Sequence, residues 1–475
     1  MALPQSSPPA SRRAVRRASE EARGMQRSYD PGPSWRPVRL VRRWYITVGQ
    51  KFAISLAFAA CWTAFSVWLS LSWLDDLAHV ISIVPAVIVI TFLAYIPGFI
   101  VALLTASLLL DRQPAFKVLH PEHPITVMIA AYNEEASIAE TLSYLAEQDY
   151  DGPLEVMLID NASTDGTVRV AEAFADKTGL ELRVVREATP GKNHALNHGL
   201  AQVTTDLVVT VDADTLLHRS ALRLLVCRLV SSPRDVNAVA GSVLVRNGRD
   251  GMWARLQEWD YFLGIASVKR MQGLFQTTLV AQGAFSLYRT EAVRKVGGWP
   301  DAIGEDIVLT WQLMRQGARV YYEPLAVAFT AAPVKGRHLA RQRARWARGM
   351  LEGLRTVPPW TQQHGLAKIL TALDLVIPFL DGAYVFLWIP GLVLACFGIF
   401  WIIGPMTAAV IPLTLAVYTI LYRYQRRQVF QPLGLRVRRN LMGFVLFVVF
   451  YQFFMSTVSV VGYTQHLTNR QRSWK

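Results

Sequence analysis

Three cysteines in 475 residues, Cys61, Cys227 and Cys396, are too few and too widely spaced for a disulfide framework or a zinc pattern. They read as small apolar residues. Charge is scarce too, at 18% of the chain against about 25% in a soluble domain. That shortage argues against an ordinary soluble enzyme and points to lipid contact. Acids are the rarer sign, 35 against 49 basic residues. The basic excess is not a nucleic-acid footprint, because it flanks apolar stretches. Eleven basic residues lie between Arg12 and Lys51, and Arg423, Arg426, Arg427, Arg436, Arg438 and Arg439 form a second group. Basic residues so placed read as cytoplasmic flanks of membrane spans.

This patterning divides the chain. Residues 1–45, rich in Ser, Pro and Arg, are expected to be a disordered basic cytoplasmic tail. It is too long and too Arg-rich to be an ordinary secretory signal. Residues 46–110 predict two transmembrane helices, Phe52 to Leu74 and Leu77 to Leu110, with Asp75 and Asp76 between them outside. Pro85 and Pro97 are candidate kinks in the second. A catalytic domain is expected over 111–335 and interfacial helices over 336–380. Three spans are expected over 381–463, with a turn at Gly404-Pro405 and a basic cytoplasmic loop at 423–440. Residues 464–475 form a tail. Five spans put that tail outside, although Arg470, Arg472 and Lys475 favour the inside.

Between His120 and Val334 short β-branched runs alternate with helical patterns. "ITVMIAAY", "LEVMLIDNAS", "LRVVRE" and "DLVVTVDAD" read as strands, with amphipathic stretches between them. This order predicts a parallel α/β sheet. Ligands of such sheets bind beyond the carboxyl ends of the strands. Asn133, Asp160 and Asp212 are expected at those ends, where turns and helix caps also favour Asp and Asn.

Four patterns carry candidate chemistry. In "TVDADTLL", Asp212 and Asp214 can face one hard divalent cation, Mg²⁺ or Mn²⁺, which often bridges carboxylates to phosphates. In "IGEDIVLTWQL", Glu305 and Asp306 follow Gly304. They suit a helix N-terminus and equally a general base at a cleft mouth. In "GKNHALNHG", His194 and His198 have a zinc-site spacing, but Ala195 stands where a metalloprotease needs Glu. Lys192 is the better candidate there, as a cation for a diphosphate. In "RQRARWARGM", Gln342, Arg345 and Trp346 share one helical face, and the other arginines spread around the rest. That face suits a phosphate and a sugar ring; the whole helix also suits a membrane surface.

Together these motifs resemble the membrane-embedded glycosyltransferases of family 2, the group of cellulose, chitin and hyaluronan synthases. The likeness runs from about Ile125 to Gly349: Asp160, "DAD" 212–214, "GED" 304–306 and "QRARW" 342–346, in order. Within the group, "AAYNEE", "VAQGAFSLYR" and "RARWARG" look most like bacterial poly-β-1,6-N-acetylglucosamine synthases. The resemblance implies an α/β, GT-A (Rossmann-like) cytoplasmic domain between two blocks of transmembrane helices. It implies inverting, processive transfer from a UDP-sugar, best UDP-N-acetylglucosamine, onto a growing glycan that crosses the inner membrane. A single-transfer glycolipid enzyme is the alternative. By analogy Tyr132, Glu134, Asp160, Lys192, Asp212, Arg343 and Arg345 bind the donor. Asp212 and Asp214 hold the metal, and Asp306, with Glu305, is the catalytic base. Gly283, Phe285, Gln342 and Trp346 meet the acceptor. The implied partners are the UDP-sugar, the glycan, the bilayer and accessory membrane or export subunits, with no nucleic acid.

Overall fold

The computed structural model describes residues 46–404, 410–437 and 439–468. The basic tail over 1–45, the turn at Pro405, Arg438 and the last residues of the C-terminal tail lie outside the described residues.

Eight strands form one sheet: β1 (Ile125–Ala131), β2 (Leu154–Asp160), β3 (Leu182–Arg186), β4 (Leu207–Val211), β5 (Leu216–Leu217), β6 (Val236–Val245), β7 (Phe285–Arg289) and β8 (Arg319–Thr330). Their spatial order is β3-β2-β1-β4-β7-β6-β8-β5. The expected parallel arrangement holds for β3, β2, β1 and β4. Beyond them the sheet is mixed: β6 and β8 pair in parallel, but β7 runs antiparallel to both β4 and β6, and β5 antiparallel to β8. Strand alternation with helices fixed the first half. β7 follows no such alternation, entering from the irregular stretch after Leu274, so its direction was open. Asp160 ends β2, Asp212 follows β4 directly, and Asn133 lies two residues past β1, all at carboxyl ends.

Among the described residues three helices are long and apolar enough to cross a membrane: Val48–Leu69, Ile83–Leu109 and Gly365–Cys396. The shortest, 22 residues, reaches about 33 Å at about 1.5 Å per residue, enough for a hydrocarbon core. Several expected boundaries move. Asp75 and Asp76 lie within a separate helix, Leu71–Ile81, and Ser82, with φ 69°, breaks the chain before the second span begins at Ile83. Pro85 therefore sits in a first turn, where its missing N–H costs little. Pro97 follows a wide π turn, Thr91–Tyr95, that accommodates its lost bond. The boundary at 380/381 falls inside the continuous helix Gly365–Cys396, because the interfacial-looking half and the apolar half form one 32-residue element. In place of one straight span over Leu441–Tyr463, Leu441–Val449 and Tyr451–Leu467 meet at a 53° bend. Polar side chains explain it. Tyr451 Oη donates to Asp260 at 2.6 Å, while Ser456 and Tyr463 donate to Asp381 at 2.7 and 2.8 Å, so the second half turns toward protein.

The core of the α/β domain is continuous with the flanking apolar helices. One buried cluster runs from Val127, Ile129 and Val209 through Phe262 to Leu421, Phe430, Phe447 and Tyr451. A polar clamp reinforces it. Asp111, just past the second span, accepts from Arg270 and from the Tyr424 hydroxyl, and the Arg270 guanidinium lies 4.4 Å over the Tyr424 ring. Lys51 Nζ donates to the Arg112 carbonyl at 3.0 Å, so the first two spans meet the domain at the same end.

Candidate active site

The site begins with three loops at the carboxyl edge of the sheet. After β1, Asn133 takes a left-handed conformation, φ 57°, which Asn tolerates better than most residues. Its side chain accepts from Thr164 N at 2.8 Å and its own N–H donates to Ser163 at 3.0 Å, tying the β1 and β2 loops together. Tyr132 beside it is 47% exposed. Glu134 accepts from the Ser137 hydroxyl. Burial, then the charges of Asp214, Asp212 and Asp165, push its carboxyl above the usual range despite that bond. Asp160 is buried and accepts Ser163 N at 3.2 Å.

Asn161, next to Asp160, organises the third loop. Its Oδ1 accepts Gly191 N at 2.7 Å, and its Nδ2 donates to the Glu187 and Thr189 carbonyls at 3.2 and 2.7 Å. Gly191, φ 142°, requires the freedom of glycine, and it launches the helix Lys192–Gln202. Lys192 thereby reaches Asp212 in a direct ion pair. Burial opposes its charge, but Asp212, Glu305 and Asp306 hold the ammonium firmly protonated. His198 is taken by Glu187, Nδ1 to Oε2 at 2.6 Å.

The "DAD" turn is anchored on both sides. Thr141 Oγ1 donates to the Ala213 carbonyl at 2.8 Å, and Asp212 N donates to Ala284 O at 3.3 Å. Desolvation and then the neighbouring Asp212 charge raise the Asp214 carboxyl, against the pull of Arg246 and Lys192. Two carboxylates that repel each other in a desolvated turn suit a hard cation. Among the described residues no group of three or more His, Cys, Asp or Glu gathers to hold a metal ion. Asp212 and Asp214 are the carboxylates that this turn offers to such a cation.

The fourth wall is the helix Glu305–Arg315, whose first turn holds Glu305 and Asp306. Asp306 accepts Ile307 N at 2.9 Å and a long 3.4 Å contact from Gly283 N. Desolvation, then Asp306, pushes Glu305 up to about 7, with Lys192 and Arg345 pulling the other way. A Cβ on Gly283 would lie 3.0 Å from Lys192 Nζ, so this glycine backbone touches the centre of the cluster.

The helix Gly336–Thr356 closes the site. Gly304 and Gly349 pack backbone to backbone: a Cβ on Gly304 would stand 2.9 Å from the Gly349 Cα. That seam brings the Arg345 charge within reach of Glu305. Arg345 and Trp346 are exposed, and Gln342 Oε1 is buried without a hydrogen-bond partner among the described residues.

Lys192, Asp212, Asp214, Glu134, Glu305, Asp306, Gly283 and Arg345 therefore converge. Two expected residues do not. Phe285 is wholly buried in the core, packed where a Cβ on Gly241 would strike its ring at 2.2 Å, so it cannot line an acceptor pocket. β7 is buried on both faces over its first four residues, so either side of its pleat puts the ring in the core. Arg343 is 3% exposed and committed to Asp260, Nη2 to Oδ2 at 2.7 Å, which leaves its guanidinium unavailable to a diphosphate. Two positions before Arg345 on a helix, it points to the opposite side. Asn161, Arg246 and Asp260 were not anticipated. Asn161 stands beside Asp160 in "IDNAS", and Asp260 interrupts the apolar "EWDYFLG"; both were visible signals.

Comparison with known proteins agrees with this architecture. Residues 121–349 match the family model described as glycosyltransferase like family 2. The poly-beta-1,6-N-acetyl-D-glucosamine synthase of Staphylococcus aureus (strain COL) is 32% identical over 241 residues, 50% of this chain and 57% of that protein. The synthase of the same name from Staphylococcus epidermidis is 30% identical over 226 residues, 47% of this chain and 54% of its own. The chain thus matches little more than half the length of these relatives. Among solved structures, the mannosyltransferase PcManGT of Pyrobaculum calidifontis, in complex with GDP-Man and Mn²⁺, superposes with a TM-score of 0.50 at 21% identity, covering 89% of this chain and all of that one.

Proposed function

Residues 121–349 are a family 2 glycosyltransferase domain, and from that premise we propose that the chain is an inverting, processive synthase of a β-linked N-acetylglucosamine polymer. Its donor is UDP-N-acetylglucosamine, bound by Tyr132, Glu134, Asp160 and Lys192. The observation that carries the reading is the convergence of Lys192 and Asp212 with Glu305 and Asp306 at one edge of the sheet. A cationic diphosphate subsite thereby adjoins a pair of carboxylates.

In the reaction, an acceptor hydroxyl attacks the anomeric carbon from the face opposite the diphosphate. Asp306 takes the hydroxyl proton as the new C–O bond forms, and the bond to the diphosphate breaks with its electron pair leaving on UDP. A carboxylate suffices because the hydroxyl need lose its proton only as it bonds. Glu305, raised by burial and by Asp306, adds to the negative field around the base. Lys192 and Arg345 offset charge on the departing diphosphate in a site where water is thinned. Asp212 and Asp214 would hold Mg²⁺ or Mn²⁺, which neutralises charge on the leaving group. Trp346 and Gln342, on the closing helix, face the acceptor sugar, with the Gly283 backbone as its floor.

The three candidate spans support a multi-pass inner-membrane protein. Arg423, Arg426, Arg427, Arg436 and Arg439 lie between the start of the last turn of the helix Val410–Gln425 and the helix Leu441–Val449, and this basic segment supports a cytoplasmic side for the domain it packs on. The product then passes outward beside the spans, and accessory export subunits complete its route.

The test is incorporation of labelled sugar across a panel of UDP-sugars, with the product digested by linkage-specific hydrolases. UDP-N-acetylglucosamine should give long chains cut by a β-1,6-specific enzyme. A product halted at one sugar on a lipid would establish the glycolipid reading instead. Asp306→Asn should abolish incorporation while UDP still binds, and a chelator should stop synthesis. Retained turnover in that variant would remove Asp306 as the base.

A further inference from the structure

The residue that the site leaves out, Arg343, has an unusual setting. Its guanidinium lies 4.1 Å from the centre of the Trp346 ring, one turn along the same helix, and 5.6 Å from that of Tyr261. Asp260 Oδ2 receives Arg343 Nη2 at 2.7 Å and the Tyr451 hydroxyl at 2.6 Å. Asp260 opens the π turn Asp260–Ile265, and Tyr451 is the first residue after the 53° bend of the C-terminal pair. Tyr261 feels the charges of Arg343, Asp260, Asp214 and Asp212, so this group borders the metal-binding turn without entering it.

A buried ion pair is poor evidence for stability, because desolvation consumes most of the attraction. This one leaves Arg343 Nε buried with no hydrogen-bond partner among the described residues, so it is incompletely satisfied as well. What it does supply is geometry. A planar cation held flat against an indole fixes the ring's tilt. Trp346 is 38% exposed, and the Arg343 guanidinium covers one face of its ring. The opposite side of the same helix is fixed too: a Cβ on Gly462 would lie 2.6 Å from the Ala344 carbonyl, so the helix Tyr451–Leu467 packs directly against it.

We propose that Arg343, held by Asp260 and Tyr451, is a positioning residue that orients the Trp346 indole for the acceptor sugar, so that acceptor binding depends on the bent C-terminal helix. This rests on the reading that Trp346 meets the acceptor. The group is built to act on acceptor recognition alone, because its charges close on one another and not on the donor.

The experiment uses the full chain in lipid nanodiscs. Tyr451→Phe removes one hydroxyl and is the least disruptive break in the chain Tyr451–Asp260–Arg343–Trp346. Two rates are read: UDP release with a short N-acetylglucosamine oligosaccharide as acceptor, and the slow UDP release to water alone. We expect the acceptor KM to rise about threefold to tenfold, with the donor KM and the release to water unchanged. Trp346→Ala should raise the acceptor KM more, and Tyr451→Phe should add nothing further in that background. If Tyr451→Phe leaves the acceptor KM unchanged, shifts donor and acceptor KM together, or adds fully to Trp346→Ala, the positioning role is refuted. If Trp346→Ala itself leaves the acceptor KM unchanged, the acceptor face assigned above is what fails. Arg343→Lys keeps the charge but loses the flat stack, and it should reproduce Tyr451→Phe; a variant indistinguishable from wild type would overturn the proposal.

Discussion

Gly304→Ala tests the seam on which the active site closes. Gly304 precedes Glu305 and Asp306, and its Cα side meets Gly349 on the closing helix with no side chain between them. An added methyl would sit 2.9 Å from the Gly349 Cα and 3.1 Å from its carbonyl oxygen, whereas ordinary contact begins at 3.4 Å. The obstacle is backbone, which cannot rotate away, so the two helices must part by about 0.5 Å or more. Overpacking of this kind costs about 1–3 kcal/mol, and a catalytic group displaced by as much as about 1 Å loses up to ~10²-fold in rate. We expect kcat for sugar transfer to fall about 10- to 100-fold and the melting temperature to fall by several degrees. UDP affinity should stay near wild type, because the loops after β1 and β2 do not touch the seam. Gly349→Ala strikes the same gap from the other side and should match it. Gly353→Ala, whose Cβ would press on the Ile307 side chain at 2.9 Å and reach Trp311 only at an ordinary 3.5 Å, should be milder, because both obstacles are side chains. Gly304→Ala with wild-type kcat would show that the "GED" and "QRARW" segments are not rigidly joined, and the argument from the seam would be wrong.

Other expectations follow from single contacts. Asn161→Ala frees the loop before Lys192 from three hydrogen bonds; the donor KM should rise about tenfold with a smaller change in kcat, and an unchanged donor KM would contradict it. Glu305 titrates near 7 in the folded chain against an ordinary value of 4.5. The folded state thus binds more protons across that window, and its stability should fall as pH rises through it. Melting temperatures of the donor-free protein should show this slope and lose it in Glu305→Gln; a slope that persists would assign it elsewhere. Glu323→Ala strands Arg228, its buried partner at 2.6 Å, and should cost about 3–5 kcal/mol; chemical denaturation showing under 1 kcal/mol would refute it.

Much of the site was legible because its residues sit where strand periodicity ends. Asp160 and Asp212 follow apolar β-branched runs, so their position at the sheet's edge follows from the period of two. Helical spacing likewise puts Arg343 nearly opposite Arg345, and the structure commits it to Asp260 and the Trp346 ring instead. Assigning Arg343 to the donor was a motif-level reading that the helix period already argued against. Phe285 was misread for the opposite reason. A strand buried on both faces carries no alternation to say which residues are core. The antiparallel turn of β7 and the bend at Phe450 were hidden because both depend on partners distant in sequence: β4 and β6 for one, Asp260 and Asp381 for the other.

The continuity of the hydrophobic core with the membrane-flanking helices sets a limit on dissection. A fragment cut at the ends of the family match would leave Arg270 without Asp111, and Phe262 and Trp259 without Phe430, Phe444 and Tyr422. That face is a bare aromatic patch with an orphaned cation beside it, the profile of a sticky, aggregating surface. The enzyme is therefore not a detachable catalyst tethered to a lipid anchor. The apolar helices packed on it are one wall of the folded domain, and detergents that loosen them should inactivate the chemistry before they release the protein.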